Sequence, residues 1–222
     1  MQRKQFLRYM GAALGWAVIA PLLTGCDDDS TTDTTAAAPP TDPTAPTTPT
    51  TLSAEEIAGL KFMREEEKLA HDVYVALYAI WPDDIFYRIS LSETTHTEAI
   101  LALLVKYGIP DPAEGKAPGV FEDPDLQALY DLLVAEGTKS QIDALKVGAL
   151  IEETDIRDIN AKKAVTDEAD ILTVYGNLLC GSQDHLRAFN DALVAKGVTY
   201  VPQAISQAEW DAIANSPAGT CI

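Results

Sequence analysis

The feature that most constrains the fold is the recurrence of apolar residues every three or four positions along most of the chain. Between Ser53 and Ile80 this spacing places Leu60, Met63 and Leu77 on one face of a helix. Ser53 followed by Glu56 is typical of a capping box at the start of that helix. Because no segment shows the sustained alternation of a half-buried strand, the sequence predicts an all-α protein.

Four long periodic segments follow this rule. They cover residues 53–80, 83–108, 139–165 and 167–197, and we refer to them as helices A, B, C and D. A loop rich in proline and glycine and a short helix ending at Gly137 separate B from C, and another short helix lies near Trp210. This long connection favours a four-helix bundle in which the second hairpin crosses over. A three-helix or irregular orthogonal bundle is the alternative.

The charge of the chain excludes several partners. Its formal net charge is −18. Nucleic-acid phosphates and anionic membrane surfaces both attract lysine and arginine, which are in the minority here. We therefore expect neither of them as a partner, and a cation fits the charge better. The residues do not decide between a monomer and a homo-oligomer.

The first 52 residues differ in composition from the remainder. A basic stretch, MQRKQFLR, precedes a short apolar run and then LTGC, which matches a bacterial lipobox with Cys26 as the acylated residue. We predict a lipoprotein signal peptide at 1–25, a Thr/Pro/Asp-rich disordered tether at 26–52 and a folded domain at 53–222. The domain would be exported and held by lipid to the cell envelope, at the inner or outer membrane of a Gram-negative cell. A cleaved signal peptide in which Cys26 is incidental is the alternative.

Two further cysteines, Cys180 and Cys221, lie in the predicted domain. Disulfides persist in exported proteins, so we expect this pair to join the C-terminal tail to helix D. Two free thiols are the alternative.

Ionisable residues occupy the apolar faces of helices A and B. On a wheel of 100° per residue, Glu93 lies at the centre of the stripe of helix B, and His96 lies one turn further on. On helix A the centre falls near Glu66, with Glu67 at the flank. A charged Glu seldom enters a core without a partner, so these positions require an explanation.

The same pattern occurs on helices C and D. Glu152 lies at the centre of the stripe of helix C, with Asp155 to one side, and on helix D the centre is Ser182, followed by His185. Carboxylates and imidazoles that converge in one interior would repel one another unless a cation neutralised them. The sequence therefore predicts a metal site. For mixed carboxylate and imidazole ligands, iron or manganese fits best, and zinc is an alternative.

These residues resemble the ferritin-like superfamily, whose di-iron bundles carry a Glu on two helices and Glu-x-x-His on the other two. More specifically, EEEKLAHDVY, GVFEDPDLQALYDLLVAEG and ALKVGALIEETDI resemble the branch catalogued as domain of unknown function 2202. The resemblance covers residues 53–215 and implies a ferritin-like four-helix bundle with a short crossover helix between B and C. It implies no known activity.

The resemblance also implies a ligand set. Glu93 and His96 match Glu-x-x-His, and Glu152 matches the single Glu of the third helix. Glu66 or Glu67 would supply the Glu of the first helix. Helix D has His185 but carries Ser182 where the superfamily has Glu, so the site would hold one metal, hold two with water or Asp155 at the gap, or be a relic without metal. The predicted metal ligands are Glu66, Glu93, His96, Glu152 and His185, with Glu67 and Asp155 as alternatives.

Two functions follow from these residues. The first is an iron protein, di-iron or mononuclear, with redox chemistry on oxygen or peroxide; its catalytic residues and substrate are not specified by the sequence. The second is a non-enzymatic helical-bundle lipoprotein that binds a protein or envelope partner, with the inward polar residues forming a hydrogen-bonded network.

Overall fold

A computed structural model describes residues 51–222, and over these residues the protein consists of six helices with no strand. They are α1 (Ala54–Ile80), α2 (Asp84–Tyr107), α3 (Pro124–Gly137), α4 (Gln141–Lys163), α5 (Ala169–Ala195) and α6 (Gln207–Ala214). The prediction of an all-α fold is thus confirmed. The predicted signal peptide, most of the tether and the lipidation site Cys26 lie outside the described residues.

The helix ends follow from local chemistry. Ser53 and Glu56 form the capping box at the start of α1, each satisfying a backbone N–H group of the other. The Ser140 hydroxyl accepts a hydrogen bond from the backbone of Asp143 and so caps α4. At the end of α2, Gly108 adopts the left-handed conformation, with φ of 66°. Helices A to D of the sequence thus correspond to α1, α2, α4 and α5.

The four long helices pack as two hairpins. α1 packs most extensively on α2 and α5 on α4, and contacts of α1 with α4 and of α2 with α5 join the two hairpins. The shared core contains large side chains that are fully buried, among them Tyr74, Phe86 and Phe189. α3 lies across α1 and α4, so the predicted crossover helix covers the seam between them.

Buried carboxylates hold the connecting segments on this bundle. Glu65 accepts hydrogen bonds from the backbone N–H groups of Glu122 and Asp123, just before α3. Glu153 accepts from the Tyr200 hydroxyl and from backbone N–H groups of residues 203–205. These backbone donors lie outside regular structure and would otherwise be unsatisfied.

The C-terminal tail lies along α5. Cys180 and Cys221 form a disulfide with Cα atoms 5.0 Å apart. Gln183 exchanges two hydrogen bonds with the backbone of Ile222, and Arg187 donates to the Thr220 carbonyl and the Ser216 hydroxyl. In the part of the chain that the structure describes, no helix is long and apolar enough to cross a membrane.

Candidate metal centre

A first group of buried ligands joins α1 to α2. Glu67, Glu93 and His96 each offer an atom within 4.8 Å of the others. The Nδ1 atom of His96 lies 3.1 Å from Oε2 of Glu67 and 2.8 Å from Oε2 of Glu93. Glu93 and His96 meet because residues three apart lie on the same face of a helix. We refer to this group as the first triad.

A second group joins α2 to α4 and α5. It consists of Glu93, Glu152 and His185, all buried and again within 4.8 Å of one another. Nδ1 of His185 lies 2.8 Å from Oε1 of Glu93 and 3.4 Å from Oε2 of Glu152. We refer to it as the second triad. Glu93 belongs to both triads and presents one carboxylate oxygen to each imidazole.

Asp155 and Ser182 lie beside the triads. The Ser182 hydroxyl donates a hydrogen bond to Oδ2 of Asp155, and both side chains are buried. The Asp155 carboxyl is close enough to Glu67 and Glu152 for charge repulsion. A carboxyl group from α4 therefore lies beside Ser182, the position on α5 where the sequence analysis expected a Glu ligand.

Glu66 lies apart from both triads. The helical wheel placed it at the stripe centre of the first helix, but it is Glu67 that meets Glu93 and His96. Glu66 instead lines a small pocket with Leu129 and Leu133 of α3, and its carboxyl lies close to Asp158 and Asp155. The structure thus brings Glu67, the alternative ligand, to the triad in place of Glu66. The wheel chose the wrong neighbour because α1 is covered by α3 as well as by the bundle, so its buried face is wider than one apolar stripe.

The charges of the triads are strongly perturbed. Burial by itself would raise the pKa of Glu93, but the imidazoles of His185 and His96 hold that pKa well below its ordinary range. Burial by itself would lower the imidazole pKa values. Glu67 and Glu93 nevertheless raise the pKa of His96 to about 12, and Glu93 and Glu152 raise the pKa of His185 to about 10.

The remaining carboxyl groups respond chiefly to desolvation. Burial raises the pKa of Glu67 to about 7 against the opposing effect of His96. Burial, and then the carboxylates of Glu67 and Glu152, raise the pKa of Asp155 well above its ordinary value. The interior thus holds more carboxyl groups than its two imidazoles can pair with, and burial favours the neutral form of the remainder.

Several ligand atoms have no hydrogen-bond partner among the described residues. They are Oε1 of Glu67, Oε1 of Glu93, Oδ1 of Asp155 and Nδ1 of His185. In the second triad, Oε1 of Glu93 and Nδ1 of His185 approach each other to 2.8 Å, yet without hydrogen-bond geometry. Buried polar atoms are rarely left unpaired. A bound cation would supply the partner that these oxygen and nitrogen atoms lack.

Supporting contacts orient the ligands. The Tyr74 hydroxyl donates to Oε1 of Glu152 at 2.5 Å, and Nε2 of His185 lies 2.9 Å from the Ser92 hydroxyl. A Cβ atom at Gly181 would clash with Nε2 of His96, so the glycine leaves room for that ring. Ser92 and Gly181 were missed in the sequence. No periodic pattern identifies them, because each acts across the seam between α2 and α5.

Two other polar sites do not join the centre. His71 is partly exposed, and its Nδ1 lies 2.9 Å from Oδ1 of Asp72, away from both triads. Glu56, Asp167 and Glu168 form a third acidic group, but Asp167 is exposed and such groups are common without an ion.

Comparison with known proteins gives the relationships of the chain. Residues 56–217 match the family model described as "Uncharacterized protein domain (DUF2202)". Over 165 residues the chain is 50% identical to the uncharacterized protein MJ0754 of Methanocaldococcus jannaschii, covering 74% of this chain and 89% of that protein.

A solved structure is similar as well. The crystal structure of the hypothetical protein MJ0754 from Methanococcus jannaschii superposes with a TM-score of 0.75 at 48% sequence identity. The match covers 79% of this chain and 99% of the archaeal chain. Neither comparison names an activity or a ligand.

Proposed function

The chain belongs to the DUF2202 family, and we propose that it is a ferritin-like metal-binding protein that holds a pair of metal ions between its two triads. The observation that carries the proposal is that two triads of buried ligands share Glu93 and leave several ligand atoms unpartnered. Ligands from each of four long helices, arranged as two hairpins, support the ferritin-like assignment.

Charge and ligand chemistry favour iron or manganese. Glu67, Glu93, Glu152 and Asp155 place four carboxyl groups in the interior, and two divalent cations would balance them. Mixed oxygen and imidazole ligands suit iron or manganese, and zinc is the third candidate. An iron pair bound here would supply redox chemistry toward oxygen or peroxide.

The side chains of the protein would hold and orient this centre. Glu93 would serve as a ligand at both positions, with Glu67 and His96 completing one set and Glu152 and His185 the other. Asp155 would replace the glutamate that α5 lacks, while the Ser182 hydroxyl fixes its second oxygen. Ser92 would fix the tautomer of His185 by accepting from Nε2, which leaves Nδ1 free for a metal.

We further propose that the domain is exported and lipid-anchored at Cys26. The support for this is the pattern of the first 52 residues, namely the basic stretch, the apolar run and LTGC. Radiolabelled palmitate incorporated by the wild-type chain and absent from Cys26→Ser would support it. Equal labelling, or none in either, would reject it.

Elemental analysis of the purified full-length chain tests the metal proposal. We expect about two equivalents of iron or manganese per chain and a melting temperature that falls when a chelator removes them. The second candidate function, a metal-free bundle that binds an envelope partner, predicts neither result. A metal-free preparation that also fails to take up Fe(II), Mn(II) or Zn(II) would favour that alternative.

A further inference from the structure

A polar cleft of about 300 Å³ lies between α1, α2 and the segment that connects α2 to α3. This volume is at the small end of the range for small-molecule sites. Three of its wall residues are cations, namely Arg64 and Lys68 of α1 and Lys116 of the connecting segment. The chain has a formal net charge of −18, so three cations around one cleft require an explanation.

The two cations of α1 are held in fixed positions. Their side chains are only 14% exposed in Arg64 and 12% exposed in Lys68. Nε and Nη2 of Arg64 donate to the two carboxyl oxygens of Asp111, each at 3.1 Å. Nζ of Lys68 lies 2.5 Å from Oδ2 of Asp72. Because these contacts are present without a ligand, binding would cost little side-chain entropy.

The third cation lies on a segment that is fastened on both sides. Before Lys116, Oδ1 of Asp111 accepts a hydrogen bond from the backbone N–H of Ala113. After it, the Ala117 carbonyl accepts one from Nζ of Lys68 at 3.1 Å. The Lys116 side chain is half-buried, and its ammonium has no hydrogen bond or ion pair among the described residues. An ammonium without a partner is thus held at the cleft wall.

Asp72, the one carboxylate among the described wall residues, is already occupied. Its Oδ1 lies 2.9 Å from Nδ1 of His71. Its Oδ2 accepts hydrogen bonds from Lys68 and from the backbone N–H of Gly119. This carboxylate therefore holds the wall together and does not pair with Lys116.

The cleft keeps positive charge and unused donors. Its three cations exceed the two carboxylates paired with them, Asp72 and Asp111, by one. In the described part of the chain, Nη1 of Arg64 has no hydrogen-bond partner, and neither has the Lys116 ammonium. Guanidinium and ammonium groups are the side chains that bind phosphate in proteins.

We propose that this cleft binds a small oxyanion of the phosphate class, with Arg64 and Lys116 donating to its oxygens. A tetrahedral oxyanion presents oxygens in several directions, so it can accept from α1 and from the connecting segment at once. An acidic chain is repelled by an anionic membrane surface, which favours a free oxyanion over a lipid headgroup. The site is separate from the metal centre and does not depend on it.

Calorimetric titration of the chelator-treated full-length chain with inorganic phosphate, against chloride at equal ionic strength, tests the proposal. We expect one phosphate per chain. Lys116→Ala removes one charge-assisted donor and should weaken binding roughly tenfold, and Lys116→Glu should abolish it. The matched control is Lys163→Ala, which removes another half-buried lysine outside the cleft walls and should bind like the wild type. Because the Lys116 side chain makes no ion pair, Lys116→Ala should melt at the wild-type temperature.

Glu93→Ala separates the cleft from phosphate bound to a metal. This variant lacks the shared metal ligand and should still bind phosphate with wild-type affinity. Binding that is lost in Glu93→Ala and retained in Lys116→Ala would place the phosphate on the metal and overturn the cleft site. No binding by the wild type, or equal affinity in Lys116→Ala, would also overturn it.

Discussion

At the scale of single residues, the neighbours Glu66 and Glu67 test the register of the first helix. Glu67 contacts His96, whereas Glu66 lines a small pocket with Leu129 and Leu133 of α3. We expect Glu67→Ala to lower the metal content by about one ion per chain, because the first triad loses its α1 ligand. Glu66→Ala, the matched control one position away, should keep the full content by elemental analysis. The reverse ranking would mean that α1 presents Glu66, and not Glu67, to the metal centre.

The titration of the two imidazoles gives metal binding a pH dependence. In the metal-free protein the pKa values of His96 and His185 are raised to about 12 and about 10, so both rings are protonated at neutral pH. A metal needs the neutral ring and must displace these protons. The affinity of the protein for metal should therefore rise with pH up to about 10. Calorimetric titrations in buffers of different ionisation enthalpy should show proton release, and binding without it would contradict the assignment of both rings.

The metal-free protein should show the opposite trend in stability. His96, His185 and Glu67 all have folded pKa values above their unfolded ones. Their stabilising protons are held at low pH and lost as pH rises, through about 7 for Glu67 and then about 10 for His185. Between about pH 5 and 8 the melting temperature of chelator-treated protein should fall. A rise over that window would show that these groups do not remain together in the folded interior.

At the scale of helices, the seam between α2 and α5 depends on one glycine. A Cβ atom at Gly181 would clash with Nε2 of His96, so Gly181→Ala should displace that ring and weaken metal binding at the first triad. A Cβ atom at Gly176, on the same helix, would meet no other atom within 4 Å. Gly176→Ala should keep metal binding and stabilise the fold by about 0.5–1 kcal/mol.

Metal titrations and thermal melts of the two variants distinguish these effects. Equal metal affinity in Gly181→Ala and the wild type would show that His96 does not need the space. If Gly176→Ala lost as much metal as Gly181→Ala, any methyl group added to α5 would disturb metal binding. The space at Gly181 would then not be what metal binding depends on.

The helices themselves were predictable because their signals are local. Apolar spacing, the Ser53 capping box and the Gly108 terminus each act within a few residues, and all appear as expected. Which residue of a buried run faces the site is not a local property. Glu65, Glu66 and Glu67 are all buried. Glu65 is covered by the segment before α3, Glu66 lies beneath α3, and Glu67 belongs to the first triad. A wheel that assumes one apolar stripe cannot rank them.

The same limit applies on α4. Glu152, Glu153, Thr154 and Asp155 are all buried in succession, and Glu153 serves the C-terminal segment rather than the site. The sequence predicted Glu152 as a ligand and raised Asp155 as an alternative, but the hydrogen bond from Ser182 to Asp155 depends on how α4 and α5 pack. The packing between helices sets such contacts, and the periodicity of residues within one helix does not determine that packing.

At the scale of the whole molecule, the disulfide that holds the C-terminal tail on α5 should stabilise the fold without contributing to the metal centre. The disulfide links residues 41 positions apart, and its helix partner Cys180 lies on a face of α5 different from that of Ser182 and His185. Cys221→Ser should lower the free energy of unfolding by about 2–4 kcal/mol. Metal content should stay unchanged. Denaturant unfolding measures the loss of stability, and elemental analysis of the same preparation measures the metal content. A loss of metal would show that the C-terminal tail supports the metal centre.

The sharing of Glu93 by both triads is the central claim, and titration of metal-free protein with Fe(II) under nitrogen tests it most directly. The wild type and the control Glu98→Ala, an exposed position on the same helix, should bind about two ions per chain. Glu93→Ala removes a ligand from both triads at once and should abolish tight binding of both ions. If Glu93→Ala still bound two ions as tightly as the wild type, the shared carboxylate would not be a ligand and the proposed centre would be wrong.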